Sequence, residues 1–268
     1  MHLTTIPRVF PLCVLIFCGS TQAQDDADAE ALAKAAQNPI ASLISLPFQN
    51  NTDFGVGPDD ETRNTLNIQP VWPFKLSDNW NLITRTIVPV ISQPGLGTGE
   101  SRVTGIGDTT FTAFFSPNNS GKWTWGVGPV FVLPTGSNDR LTNDRWGAGI
   151  SFIALTMPGH WVIGSLISNV KSVGNGSGND FNLFTWQYFI NYNFDHGWYA
   201  TTAPIITANW EASGSDRWTV PFGGGFGRVM KFGKQPVNMS VQAYKNVESP
   251  TFGADWQLRL QVQLLFPK

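Results

Sequence analysis

The chain closes on an alternating run. From Trp256 to Phe266 every second residue is apolar (Trp256, Leu258, Leu260, Val262, Leu264, Phe266), with Gln257, Arg259, Gln261 and Gln263 between them. Leu265 is the only break in that alternation. Successive strand side chains point to opposite faces, so this period of two predicts a β-strand with one apolar and one polar face. The same pattern recurs upstream. Phe184, Trp186, Tyr188, Ile190, Tyr192 and Phe194 oppose Thr185, Gln187, Asn191 and Asn193, and Trp123, Trp125, Val127, Pro129, Phe131 and Leu133 oppose Thr124, Gly126 and Gly128. Twelve such segments are expected, over 41–51, 65–73, 80–92, 107–116, 123–133, 146–157, 161–173, 181–194, 198–210, 218–231, 237–247 and 256–266.

The connections alternate in kind. Short turns fall at 74–79, 117–122, 158–160, 195–197 and 232–236, and generally longer polar loops at 53–64, 94–106, 134–145, 174–180, 211–217 and 248–255. Short turns at one end and longer loops at the other are the habit of outer-membrane β-barrels. The predicted fold class is therefore all-β: a transmembrane up-and-down antiparallel β-barrel of about 12 strands, spanning residues 40–268.

Composition supports a lipid-facing wall over a soluble sandwich. Charged residues make up 13% of the chain and there are 11 Trp, against a charged fraction of about 25% in soluble proteins. Tryptophan placement goes further. Trp80, Trp123, Trp161 and Trp198 each follow a short turn, whereas Trp146, Trp210, Trp218 and Trp256 each border a longer loop. Two sets at opposite strand ends predict two aromatic girdles at the membrane interfaces. A sandwich core would hold its Trp in mid-strand, as only Trp186 clearly is.

The first 39 residues differ. Residues 1–23 read as a secretory signal peptide, with Arg8, an apolar run from Val9 to Cys18, and Thr21-Gln22-Ala23 before Gln24. The run is shorter than the roughly 20 apolar residues a spanning helix needs. Both cysteines lie inside it, so the exported chain carries no disulfide. The net charge is −2, or −3 once Arg8 leaves with the leader, which gives no reason to expect a nucleic-acid partner. Within 24–39, residues 25–37 are Ala-rich, acidic at the start and followed by Asn38-Pro39, which predicts a short helix. It could sit in the periplasm or plug the lumen.

The polar faces define the candidate site. Asn67, Gln69, Arg85, Gln187, Asn191, Asn238, Gln242, Gln257, Arg259, Gln261 and Gln263 are expected to line the pore. Arg85 and Arg259 are placed inward because a cation facing lipid at mid-depth costs roughly 2–4 kcal/mol. A structural role for each, pairing inside the lumen, weighs as much as contact with solute. Neutral hydrogen-bonding groups with a few cations suit small polar or aromatic solutes better than strong ion selection.

A membrane-embedded lipid hydrolase is the rival class. It would need a general base beside a nucleophilic Ser, but His2 leaves with the leader and His160 and His196 lie in short turns. No enzyme and no cofactor is expected. Asp59-Asp60-Glu61 lacks the spacing of a cation site, so no metal is assigned. A structural or adhesive barrel with a closed lumen is the remaining alternative.

The stretches A-L-A-K-A-A-Q-N-P-I-A-S-L-I-S-L-P-F-Q-N (31–50), L-N-I-Q-P (66–70), W-N-L-I-T-R-T-I-V-P-V (80–90), W-G-V-G-P (125–129), P-I-I-T-A-N-W-E (204–211), 217–221, G-K-Q-P-V (233–237) and the closing W-Q-L-R-L resemble one family. It is the outer-membrane family named for the meta pathway of phenol degradation, often mislabelled neuromedin U. The resemblance implies a transporter in the bacterial outer membrane, passing small solutes, aromatic or hydrophobic ones included; twelve strands with five short turns and six longer loops place both termini on the periplasmic side. Implied partners are outer-membrane lipid and lipopolysaccharide, a small-molecule solute, and the barrel-assembly machinery. That machinery reads a terminal aromatic, and here Phe266 is displaced from the end by Pro267-Lys268.

Overall fold

The computed structural model describes residues 20–97, 99–118, 121–174 and 176–267. Residues 1–19 of the expected leader lie outside the described residues. One helix precedes the wall, α1 (Ser20–Gln37), which begins before the expected residue 25. The strands follow as β1 (Ile44–Val56), β2 (Glu61–Ile68), β3 (Val71–Lys75), β4 (Trp80–Gln93), β5 (Val103–Ile106), β6 (Thr109–Pro117), β7 (Trp123–Leu133) and β8 (Trp146–Thr156). Next come β9 (Trp161–Val173), β10 (Asn182–Asn193), β11 (Trp198–Thr202), β12 (Ile205–Asn209), β13 (Trp218–Phe232), β14 (Gln235–Glu248) and β15 (Trp256–Phe266).

These pieces make a closed antiparallel barrel of twelve staves. Three staves are broken in two, β2/β3, β5/β6 and β11/β12. The breaks contain Pro70, Gly107 and Pro204. Proline offers no N–H to a ladder and glycine supplies a bend, so both interrupt strands. Closure comes from β1 against β15, in register from Ile44↔Phe266 to Phe54↔Trp256. A closed barrel leaves no unpaired edge, as a strand wall in lipid requires.

The first stave departs from expectation. The wall starts at Ile44, not residue 41, and runs on to Val56, so the first connection is a four-residue turn rather than 53–64. Gly55 and Gly57, at φ 76° and 80°, make that turn possible. Residues 41–43 leave the wall because their neighbours are drawn inside: Ile40 is 3% exposed and Leu43 is also buried.

Inside and outside are inverted relative to a soluble protein. Apolar side chains cover the exterior, including Leu260 and Phe222 at 46% and 71% exposure, while Gln49, Asn51, Asn191, Asn238, Arg259 and Gln263 are buried within. The interior is not polar throughout. Towards the end carrying the short turns (the turn end), Val71, Ile83, Phe114, Ile153, Leu155, Val162, Leu166 and Phe189 pack around Ile40 into one apolar cluster. A second cluster joins Ala33 of α1 and Leu43 to Tyr199, Val229 and Leu265. The break in the closing strand thus has a structural meaning. Leu265 lies on the same face as Gln263 and, with Tyr199 and Val229, is a wall residue on which the N-terminal segment docks. Gly227 makes room beside it, since a Cβ there would come within 2.2 Å of the Tyr199 ring.

Candidate functional site: the barrel lumen

Among the described residues two cavities lie along the polar faces, and the eleven residues expected there all line one or the other; a third, about 220 Å³, lies under residues 140–143 beside Arg63 and Gln93. The cavity nearer the turn end, about 150 Å³, is bounded by the N-terminal segment from Ala35 to Leu43. Gln69, Arg85, Gln187, Asn191, Asn238, Gln242, Gln261 and Gln263 line it. The cavity towards the longer loops, about 530 Å³, is lined by Asn67, Gln257 and Arg259 together with Asp53, Arg63, Ile205 and Pro221. The period of two along each strand is what aims these side chains inward.

Gln49 lines both cavities, and Arg259 on β15 lines the loop-end one while bonding to Ala203 of the inner one. Its Nε donates to Asn51 Oδ1 at 3.0 Å, its Nη1 to the Ala203 carbonyl oxygen at 2.8 Å and its Nη2 to Gln257 Oε1 at 3.1 Å. Its guanidinium carbon also sits 4.9 Å from the centre of the Tyr244 ring, a cation–π distance. The break at Ala203-Pro204 explains the contact. Freed from a ladder, the Ala203 N–H donates to Tyr244 Oη at 3.0 Å, and its carbonyl accepts from Arg259. Buried backbone polar groups need such partners.

Around Arg259 the charges are unevenly matched. Asp53 Oδ2 receives Nε and Nη2 of Arg63 at 3.0 and 2.9 Å, and its Oδ1 receives Gln257 Nε2 at 2.7 Å. Arg85 reaches Gln69 Oε1 at 2.6 Å. Asn238 bridges Tyr199 Oη at 2.8 Å and Gln263 Oε1 at 3.1 Å.

The N-terminal segment is pinned at the turn end by polar contacts as well as packing. Gln37 Nε2 donates to Asn193 Oδ1 at 2.8 Å. Glu30 meets Lys34 at 2.9 Å and His160 Nδ1 at 3.3 Å. The hydrogen bond from Lys34, aided by its charge, holds the Glu30 carboxyl below its ordinary 4.5.

The eight rim tryptophans sit at strand ends. Trp80, Trp123, Trp161 and Trp198 open β4, β7, β9 and β11 at the turn end. Trp146, Trp218 and Trp256 open β8, β13 and β15 at the other, and Trp210 directly follows β12. Trp210 and Trp218 meet edge to face at 5.5 Å, and Trp256 stacks on Phe54 at 4.0 Å.

Several site residues escaped the sequence reading. Asp53 and Arg63 fell inside an expected loop, although both share the parity of inward neighbours, Asn51 and Asn67. Tyr199 and Tyr244 carry aromatic rings on an otherwise polar face, and Ala203 acts only through its backbone. Of the acidic trio, Glu61 pairs with Arg102 at 2.7 Å. Among the described residues no group of three His, Cys, Asp or Glu side chains could hold a metal ion.

The sequence profile of the family described as "Putative MetA-pathway of phenol degradation" matches residues 47–261, most of the chain. The chain belongs to that family. In structure it is similar to an outer membrane channel from Pseudomonas putida F1, at 18% identity and TM-score 0.63, over 84% of this chain and 94% of the channel. It is also similar to the outer membrane phospholipase A of Escherichia coli, at 12% identity and TM-score 0.44, over 84% of this chain and 96% of that one. No curated protein sequence matches the chain. The fold is that of an outer-membrane β-barrel channel.

Proposed function

We propose that the protein is a passive outer-membrane channel that moves small solutes, aromatic or hydrophobic ones included, with the turn end and both termini in the periplasm. One observation carries this reading: an apolar exterior banded by Trp at both ends encloses a polar-lined lumen with open cavities, the loop-end one holding the buried guanidinium of Arg259. The eleven polar lining residues then act as the pore wall, and the eight tryptophans as the two interfacial girdles. Signal-like residues 1–23 and the closing aromatic strand fit export and barrel assembly.

The reading is non-enzymatic. His160 is engaged by Glu30 at the turn end, far along the wall from where lipopolysaccharide would be met. The filled turn end favours a second reading, a closed structural barrel. Liposome swelling separates the two: proteoliposomes should swell with small sugars, amino acids or phenolics, and no swelling with any solute would favour the closed barrel.

A further inference from the structure

We infer that the loop-end cavity is a binding site for a small monocarboxylate, an aromatic acid in preference to its alcohol or amine, with the carboxylate on Arg259. This deepens the channel reading by naming its solute class.

Arg259 is 3% exposed, yet its three hydrogen bonds all go to neutral oxygens and its fourth contact is a ring face. Buried cations are ordinarily paired with an anion. The nearby carboxylate, Asp53, is already spent, with one oxygen on both Arg63 nitrogens and the other on Gln257. A guanidinium has five N–H donors, so two on Arg259 remain unbonded among the described residues. They belong to a side chain that lines a cavity of about 530 Å³.

The rest of the lumen has the same sign. Asp53 and Arg63 cancel, which leaves the loop-end cavity one positive charge. Among the described residues the inner cavity has Arg85 as its one charged lining residue, bonded to neutral Gln69. A path whose described residues carry two unpaired guanidiniums and no free carboxylate favours anions over cations. Shape adds the aromatic preference. Two and three staves round from β15, Pro221 and Ile205 add apolar surface beside Thr207 and Thr219, and Val56, Leu96 and Phe252 line the same cavity, so a carboxylate on Arg259 leaves its ring apolar side chains to meet. An Arg–carboxylate contact is charge-assisted and geometrically specific, which an alcohol cannot reproduce.

Calorimetric titration of the detergent-folded protein at neutral pH tests the site without requiring transport. Benzoate should bind at least about tenfold more tightly than benzyl alcohol, and benzylamine should not bind. Arg259→Gln, checked for heat-modifiable mobility, should lose most of the benzoate affinity while leaving benzyl alcohol unchanged. Equal binding of benzoate and benzyl alcohol by the wild type, no binding of benzoate, or full benzoate affinity in folded Arg259→Gln would each overturn the proposal. Because the readout is binding, a protein that conducts yet ignores benzoate refutes this inference alone. One that binds benzoate but never conducts refutes the channel reading alone.

Discussion

The guanidinium of Arg259 donates to the Ala203 carbonyl oxygen at 2.8 Å, tying the closing strand to the break in the β11/β12 stave across the lumen. That bond joins a residue of the loop-end cavity to one of the inner cavity. Replacing Arg259 with Met keeps the bulk of the stem but removes the donors. Arg259→Met should raise single-channel conductance, and should destabilise the fold by about 1.5–3 kcal/mol, the value of a hydrogen bond to a charged group. Unchanged conductance would mean that the Arg259 guanidinium does not limit flow.

Leu265 offers a second handle. It is 0% exposed and packs with Ala33, Leu43, Tyr199 and Val229. Leu265→Ala should weaken docking of α1 by roughly 2–5 kcal/mol, so that trypsin cuts at Lys34 much faster in folded protein. Leu264→Ala, on the outer face of the same strand, serves as control and should leave that rate near wild type.

The inversion of the barrel makes an opposed pair of predictions. Leu260 faces outward at 46% exposure, and Gln261 lines the inner cavity. Leu260→Arg should cost about 2–4 kcal/mol by placing a cation in lipid, and should reduce the heat-modifiable folded band. Gln261→Arg should fold near normally. Equal loss in both variants would contradict the assigned facing.

The N-terminal docking should weaken in acid. The folded Glu30 carboxyl lies below its ordinary 4.5 because Lys34 hydrogen-bonds the charged form. A depressed carboxyl contributes stability that is fully present above the unfolded value and is lost as pH falls through the folded one. Protease access to α1 should therefore rise as pH drops below 4.5. Glu30→Gln should flatten that rise, and the effect should be modest because the pair is solvent-screened.

The parts of this protein legible in its sequence are those where one face meets lipid and the other a polar lumen. There the period of two is clean, and it places Gln257, Arg259, Gln261 and Gln263 inward from the strand alone. It fails where both faces are apolar. Ile83, Phe114 and Phe189 sit among apolar neighbours, so alternation could not show that a sector of the lumen is packed shut. It fails also where the chain leaves the ladder. Ala203 contributes a carbonyl exposed by Pro204, and Ile40 enters the barrel from a segment with no strand period of its own. Leu265 was visible as an irregularity, but its purpose required the helix it meets.

Planar-bilayer recording of the purified, folded protein shows whether the lumen conducts. Discrete current steps are expected in potassium chloride, larger in Arg259→Met than in wild type. Folded protein that inserts yet shows no steps, in either form, would contradict the channel reading.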